Sequence, residues 1–109
     1  MENKNEYVMV ITTCGEKETA KSISKLLVKK RLAACVQMLP IESVYLWEGD
    51  LCDENEIALF IKAKTMMFDQ IAETIRKNHN YEIPEIIQIP ITDGLPEYLK
   101  WIDECTLAT

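Results

Sequence analysis

Apolar side chains recur along this chain at two kinds of spacing. In some segments they occupy every second position or a continuous run, as in a β-strand, and in others they recur every three to four positions, as in an α-helix. Residues 7–13 are apolar on both alternating faces, a pattern typical of a central strand that is covered on both sides. Apolar side chains then recur at helical spacing from Ala20 to Lys30, which predicts an amphipathic helix with a lysine-rich outer face. Thr13 and Glu16 have the spacing of a capping box at the start of this helix.

A long β-hairpin is predicted in the middle of the chain. Residues 32–39 form an apolar run of strand length, and residues 41–47 continue it with large and β-branched side chains. Because proline cannot donate a ladder hydrogen bond, Pro40 predicts a bend or a break between the two segments. Residues 48–50 (Glu-Gly-Asp) give the turn signal, and residues 56–64 alternate again as the returning strand.

The rest of the chain predicts a second helix, an edge strand and a closing helix. Thr65 is the predicted cap of the second helix, and Asn80 is the predicted left-handed residue at its end. Prolines near both ends of residues 83–91 favour a strand at the edge of the sheet. The closing helix starts within residues 93–97, and its predicted buried stripe comprises Tyr98, Trp101, Ile102 and Cys105.

The resulting element order is β-α-β-β-α-β-α, which predicts a single α+β domain over residues 1–109 with a ferredoxin-like split β-α-β arrangement. Fully extended, residues 32–48 reach about 55 Å at about 3.3 Å per residue. A domain of about 100 residues has a radius of gyration of only about 13 Å. The hairpin therefore bends back or projects with apolar side chains such as Trp47 and Phe60, and a partner subunit that covers them is the economical solution. The pattern predicts an oligomer.

Composition and charge narrow the class of protein. The chain has 109 residues, of which 48% are hydrophobic and 28% charged, as in an ordinary globular protein. Its net charge of −6 and the lack of a local basic patch argue against nucleic acid as a partner. No apolar run approaches the roughly 20 residues that span a bilayer, and the polar N-terminal segment lacks the apolar core of a secretion signal. We therefore expect a cytoplasmic protein with no membrane partner.

The four cysteines are predicted to be reduced thiols, because they form no C-x-x-C pair and nothing indicates a secretory context. Cys35 and Cys105 lie in apolar patterns and are expected to be buried. Cys14 and Cys52 are placed in loops. Since Cys14 lies near a helix start, we expect a lowered pKa for its thiol.

Two side chains allow alternative interpretations. His79, at the end of the second helix, is either a metal ligand or proton-transfer group beside Tyr81 and two carboxylates, or a protonated ring that caps the last helix carbonyls. Lys62 either extends to solvent or faces a pocket, where it pairs with an anion or with Glu82 or Glu85. No phosphate-loop, dinucleotide-binding, zinc-protease or nucleophile-elbow motif occurs, so the chain is not expected to be an enzyme.

Several motifs along the chain resemble those of one family, in its order and at its spacing. They are Leu32-Ala33-Ala34-Cys35-Val36, Tyr45-x-Trp47-Glu48-Gly49, Lys62, His79-Asn80-Tyr81-Glu82-x-Pro84-Glu85-Ile86 and Tyr98-Leu99-x-Trp101. The combination resembles the CutA divalent-cation tolerance family. The resemblance implies a ferredoxin-like subunit in a tight homotrimer, similar in architecture to PII signalling proteins, with a role in tolerance of copper and other divalent metals. It implies no established catalytic reaction.

The resemblance also bears on the binding site. Family members with a proposed copper site have a cysteine at the end of the first strand and two adjacent histidines after the second helix. Thr12, Asn78 and His79 occupy these positions here, so only His79 matches a ligand.

We therefore predict a protein without an obligatory cofactor that binds copper, another divalent ion or a small ligand at clefts between subunits. His79 and Glu82 are the predicted metal ligands. The residues predicted to line the cleft are Trp47, Glu48, Lys62 and Tyr81. The alternative is a PII-like signalling module that binds a small anionic ligand and a protein partner.

Overall fold

The computed structural model describes residues 6–108 and contains one antiparallel sheet with three α-helices. The strands are β1 (Tyr7–Cys14), β2 (Cys35–Trp47), β3 (Asp50–Lys64) and β4 (Ile86–Ile91), in the sheet order β2-β3-β1-β4. The helices are α1 (Lys17–Lys29), α2 (Phe68–Asn78) and α3 (Pro96–Cys105), and a 3-10 turn (Thr65–Met67) precedes α2. This order confirms the predicted α+β, ferredoxin-like fold with a C-terminal helix. Among the residues that the structure describes, no helix has the length and apolar character needed to cross a bilayer.

The two faces of the sheet differ in what covers them. α1 and α2 pack on one face and, with the strands, completely bury Val10 and Ile61 in the core. On the opposite face, Met9 and Ile11 are half-buried and Ile89 is 43% exposed. The central position of β1 is confirmed, whereas the expectation that both of its faces are covered is wrong within one chain.

Helix α3 lies against one end of the half-buried face. The Tyr7 hydroxyl donates a hydrogen bond to Asp103 Oδ2 at 2.6 Å and so connects β1 to α3. Ile102 is fully buried there, as predicted, but Tyr98 and Trp101 are each 39% exposed. The predicted buried stripe of this helix is therefore wrong for its two aromatic residues, because α3 covers only part of the sheet.

β2 and β3 continue beyond the end of β1 as a two-stranded hairpin, residues 41–56, which we call the hairpin arm. Trp47 pairs with Asp50, and the turn between them consists of Glu48 (φ 51°) and Gly49 (φ 87°), the left-handed values of a type I′ turn. The molecule is 45 Å long along its longest axis. Apolar side chains of the arm are exposed, among them Val44 at 65%, Leu46 at 71% and Leu51 at 73%.

Pro40 does not interrupt β2, contrary to the prediction. It pairs with Ile57 within one continuous strand. β2 is an edge strand, where a residue without an N–H is tolerated because that position can face away from the sheet. The other edge strand, β4, begins at Ile86 rather than at residue 83, since residues 83–85 belong to the preceding loop.

Two predicted helix caps are wrong. β1 continues through Thr13, because this residue pairs with Ala58 of β3, and the N-cap of α1 is Glu16. Thr65 lies in the 3-10 turn, and α2 begins only at Phe68. In both cases the residue predicted as a cap belongs to the preceding element, which is β1 for Thr13 and the 3-10 turn for Thr65.

Candidate functional site

A cavity of about 280 Å³ lies between the hairpin arm and the loop that joins α2 to β4, residues 79–85. We call it the arm cavity. Its lining residues are Tyr45, Trp47 and Glu54 from the arm and Tyr81, Glu82 and Ile83 from the loop. Three aromatic rings and two carboxylates thus share one concave surface, and none of the described lining residues is basic.

The register of the hairpin places the arm residues of the cavity on one face. Because a two-residue turn joins Trp47 to Asp50, Tyr45 lies opposite Cys52 and diagonally next to Glu54. The Tyr45 hydroxyl donates to Glu54 Oε1 at 2.7 Å, which orients both side chains. This hydrogen bond raises the pKa of Tyr45 to about 12, so its phenol is neutral at neutral pH.

His79 holds the start of the loop against β1. Its backbone is extended (φ −104°), and Asn80 does not adopt the left-handed conformation that was predicted. The His79 Nε2 atom lies 2.6 Å from the Thr13 carbonyl oxygen, and Nδ1 accepts a hydrogen bond from the Tyr81 backbone N–H at 3.0 Å. Since Nδ1 accepts, Nε2 carries the proton and donates to Thr13. Both ring nitrogens have protein partners outside α2, so the expectation that His79 caps the carbonyls of this helix is wrong.

Tyr81 connects the cavity to a buried carboxylate. Its hydroxyl donates to Glu56 Oε2 at 2.7 Å, and Glu56 is only 7% exposed. Burial, followed by this hydrogen bond, raises the pKa of Tyr81 far above its usual value. The hydroxyl also lies against Gly15, where an added Cβ atom would be 2.9 Å from the phenolic oxygen. With the His79 ring at a centroid distance of 4.7 Å, Tyr81 is held from three directions.

The structure brings together three of the residues predicted for the site, Trp47, Tyr81 and Glu82. Glu48 lies in the hairpin turn and outside the lining of the arm cavity. Lys62 is also outside it, because its Nζ donates to the Gln37 side-chain oxygen on the neighbouring strand rather than pairing with a loop carboxylate.

Sequence reasoning missed three lining residues, Tyr45, Glu54 and Ile83, as members of this site. The signal for the first two was present, since counting back from the two-residue turn places them on the same face of the hairpin. Ile83 carried no comparable signal, because it was assigned to a strand and lies in a loop.

The cysteines differ from their predicted environments. Cys14 is fully buried at the end of β1, and burial raises the pKa of its thiol to about 11, so the expected lowering is wrong. Cys35 and Cys105 are half-buried rather than fully buried, and Cys52 lies in β3 rather than in a loop. Within residues 6–108, no three His, Cys, Asp or Glu side chains are grouped in a way that could hold a metal ion.

Comparisons with known proteins agree with the fold. The sequence profile of the family described as CutA1 divalent ion tolerance protein matches residues 8–105. The chain is 41% identical over 102 residues to the divalent-cation tolerance protein CutA of Thermus thermophilus, covering 93% of this chain and 98% of that relative. It is 38% identical over 100 residues to a chloroplastic CutA protein of Arabidopsis thaliana, covering 91% of this chain and 55% of that relative.

A solved structure gives the same result. The periplasmic divalent cation tolerance protein CutA from Archaeoglobus fulgidus superimposes with a TM-score of 0.89 at 37% identity. The match covers 91% of this chain and 97% of that protein.

Proposed function

This chain belongs to the CutA1 divalent ion tolerance family, and on that premise we propose that it acts in divalent metal ion tolerance as a homotrimer. In this proposal, clefts between subunits bind a metal ion such as copper, or another small ligand, and the protein catalyses no reaction. The proposed compartment is the cytoplasm, although the Archaeoglobus relative is described as periplasmic and the Arabidopsis relative as chloroplastic. The family match does not favour the alternative of a PII-like module.

The observation that carries this proposal is the position of the arm cavity on an arm whose apolar side chains are exposed. Leu46 and Leu51 expose more than two thirds of their surface, and Val44 nearly as much. Removing apolar surface from water is favourable by about 25 cal/mol per Å², from which the entropic cost of association is subtracted. Subunits that cover the arm would border the arm cavity, so the cavity would become a cleft between chains.

The donor atoms at the cavity fit a divalent ion in part. Glu54 and Glu82 supply carboxylate oxygens, which suit hard cations. His79 lies beside the cavity lining, and it can ligate through Nε2 only after this atom loses its proton and releases the Thr13 carbonyl. Water molecules or side chains from a partner subunit would have to complete the coordination sphere.

We propose copper binding at Glu82 and His79 rather than at the end of β1. The Thr12 hydroxyl is buried without a hydrogen-bond partner and is a poor copper ligand. The Asn78 amide is already engaged with the Thr74 carbonyl at 2.8 Å. The raised pKa of Cys14 keeps its thiol protonated, whereas the thiolate is the form that binds metals.

Calorimetric titration with copper and zinc salts tests the metal site. Glu82→Gln removes one charged ligand and is expected to weaken binding about tenfold. Glu97→Gln is the matched control, because Glu97 is an exposed glutamate of α3 outside the cavity. If His79→Ala binds both ions as well as the parent, His79 is not a ligand. Unchanged binding in Glu82→Gln would place the metal elsewhere.

Sedimentation tests the assembly. A single chain has a mass of 12.6 kDa, and we expect particles of three times this mass at micromolar concentration. A particle of single-chain mass under these conditions would contradict the trimer and the inter-subunit cleft.

A further inference from the structure

The walls of the arm cavity suit a positively charged organic group. Tyr45, Trp47 and Tyr81 supply aromatic rings, whose faces attract cations. The carboxylates of Glu54 and Glu82 belong to the same lining, which contains no basic side chain among the described residues. A ligand that carries its own positive charge complements both kinds of wall.

The carboxylates at the cavity have no positively charged partner at ion-pair distance in the described part of the chain. Between residues 6 and 108, the ion pair that the structure shows is Lys77–Glu73, on the exposed surface of α2. Glu54 accepts its hydrogen bond from the neutral Tyr45, and the buried Glu56 likewise accepts one from a phenol. The basic side chains in the last turn of α2 share a neighbouring cavity with Glu82 but form no ion pair with it, so a ligand inside the arm cavity can balance the charge of its carboxylates.

A bare divalent ion matches this lining less well than an organic cation does. A divalent ion needs about four to eight oxygen, nitrogen or sulfur ligands to replace its water, and aromatic rings supply none of them. An alkylammonium group can lie against ring faces while its charge remains near a carboxylate. The volume of about 280 Å³ is slightly below the common range for drug-sized ligands, so the ligand is small.

We propose that the arm cavity binds a small organic cation of the alkylammonium class between its aromatic rings and its two carboxylates. This inference rests on the proposed function, because it names the class of ligand that the same cleft takes.

The fluorescence of Trp47 tests the proposal directly. The chain has two tryptophans, and Trp101→Phe removes the one in α3, so that Trp47 in the cavity is the remaining tryptophan and can be excited selectively over the tyrosines. We titrate this variant with choline and with dimethylbutanol, its uncharged carbon analogue. Choline is expected to change the Trp47 emission saturably, and dimethylbutanol is expected to bind about tenfold more weakly.

Charge-removing variants in the same background locate the site. Glu82→Gln and Glu54→Gln keep the shape of the side chain and are each expected to weaken choline binding about threefold to tenfold. Glu97→Gln, the control outside the cavity, is expected to bind like the parent. Circular dichroism confirms that each variant is folded before its titration.

A parallel titration with zinc chloride separates this inference from the proposed metal function. Zinc binding that depends on Glu82, without any response to choline, would overturn the organic-cation proposal and support the metal site. Choline binding that depends on Glu82, without zinc binding, would support the inference and contradict the proposed metal site. Equal binding of choline and dimethylbutanol, or no response to either, would overturn the inference.

Discussion

The aliphatic side chains in the core under the helices and those on the hairpin arm lie in opposite environments. Ile71 and Ile75 of α2 are fully buried, whereas Leu46 and Leu51 of the arm are 71% and 73% exposed. The core therefore accounts for the stability of the single chain. The apolar residues of the arm contribute little to that stability and are available for contact with another molecule.

The largest expected effect comes from truncating the core. Ile71→Ala leaves a cavity under α2 and is expected to lower the free energy of unfolding by about 2–5 kcal/mol in urea denaturation. The same truncation on the arm, Leu46→Ala, is expected to cost less than about 0.5 kcal/mol in the dissociated chain.

Measuring both variants at two protein concentrations sharpens this comparison. A cost of Leu46→Ala that grows with concentration shows that other subunits cover the arm. A cost as large as that of Ile71→Ala at every concentration would contradict the division between core and arm.

Cys14 makes the stability of the core depend on pH. The pKa of Cys14 is raised from 9.0 to about 11, so the folded state favours its protonated form. The resulting stabilisation is fully present below pH 9 and is lost as the pH rises through about 11, up to about 3 kcal/mol. We expect urea denaturation at about pH 8 and about pH 11 to show a larger loss in the parent than in Cys14→Ala, which keeps only the part due to the phenols with a raised pKa, such as Tyr45 and Tyr81.

Alkylation at about pH 8 gives an independent check, since the thiolate is the reacting form. The half-buried Cys52 on the arm should be modified by iodoacetamide well before the fully buried Cys14. Modification of Cys14 first would contradict the assignment of this residue to the core.

Most of the fold could be predicted because period and order are local properties of the sequence. The alternation in residues 56–64 predicted a strand and Gly49 predicted a turn, and the structure confirms both as parts of one long hairpin. The errors came from pairing between distant segments, which no local pattern reveals. Thr13 resembles a cap in isolation, but its pairing with Ala58 keeps it in β1, and the edge position of β2 accommodates Pro40.

The site could be predicted only in part, for a similar reason. The motifs drew attention to Trp47, Tyr81 and Glu82, which do meet in the arm cavity. They also drew attention to Lys62, whose partner is a glutamine one strand away. Nothing in the spacing showed that the His79 ring would bridge Thr13 and the loop backbone, since that contact joins residues 66 positions apart.

The smallest expected effects concern the turn that ends the arm. Gly49 has a φ of 87°, and an added Cβ would meet nothing within 4 Å, so Gly49→Ala should cost only the backbone strain of about 1 kcal/mol. Glu48 also has a positive φ, which asparagine tolerates better, so Glu48→Asn should gain about 0.5 kcal/mol. Thermal denaturation of both variants measures the difference. If Gly49→Ala raised the stability and Glu48→Asn lowered it, the turn would not be of type I′ in solution.

The close approach of Gly15 to the Tyr81 hydroxyl has a consequence for how this sequence can vary. A Cβ atom at position 15 would lie 2.9 Å from the phenolic oxygen, so the Tyr81 ring would have to shift and its hydrogen bond to Glu56 would weaken. Positions 15 and 81 are consequently interdependent. A protein of this kind that has a side chain at the first position should have a shorter residue at the second.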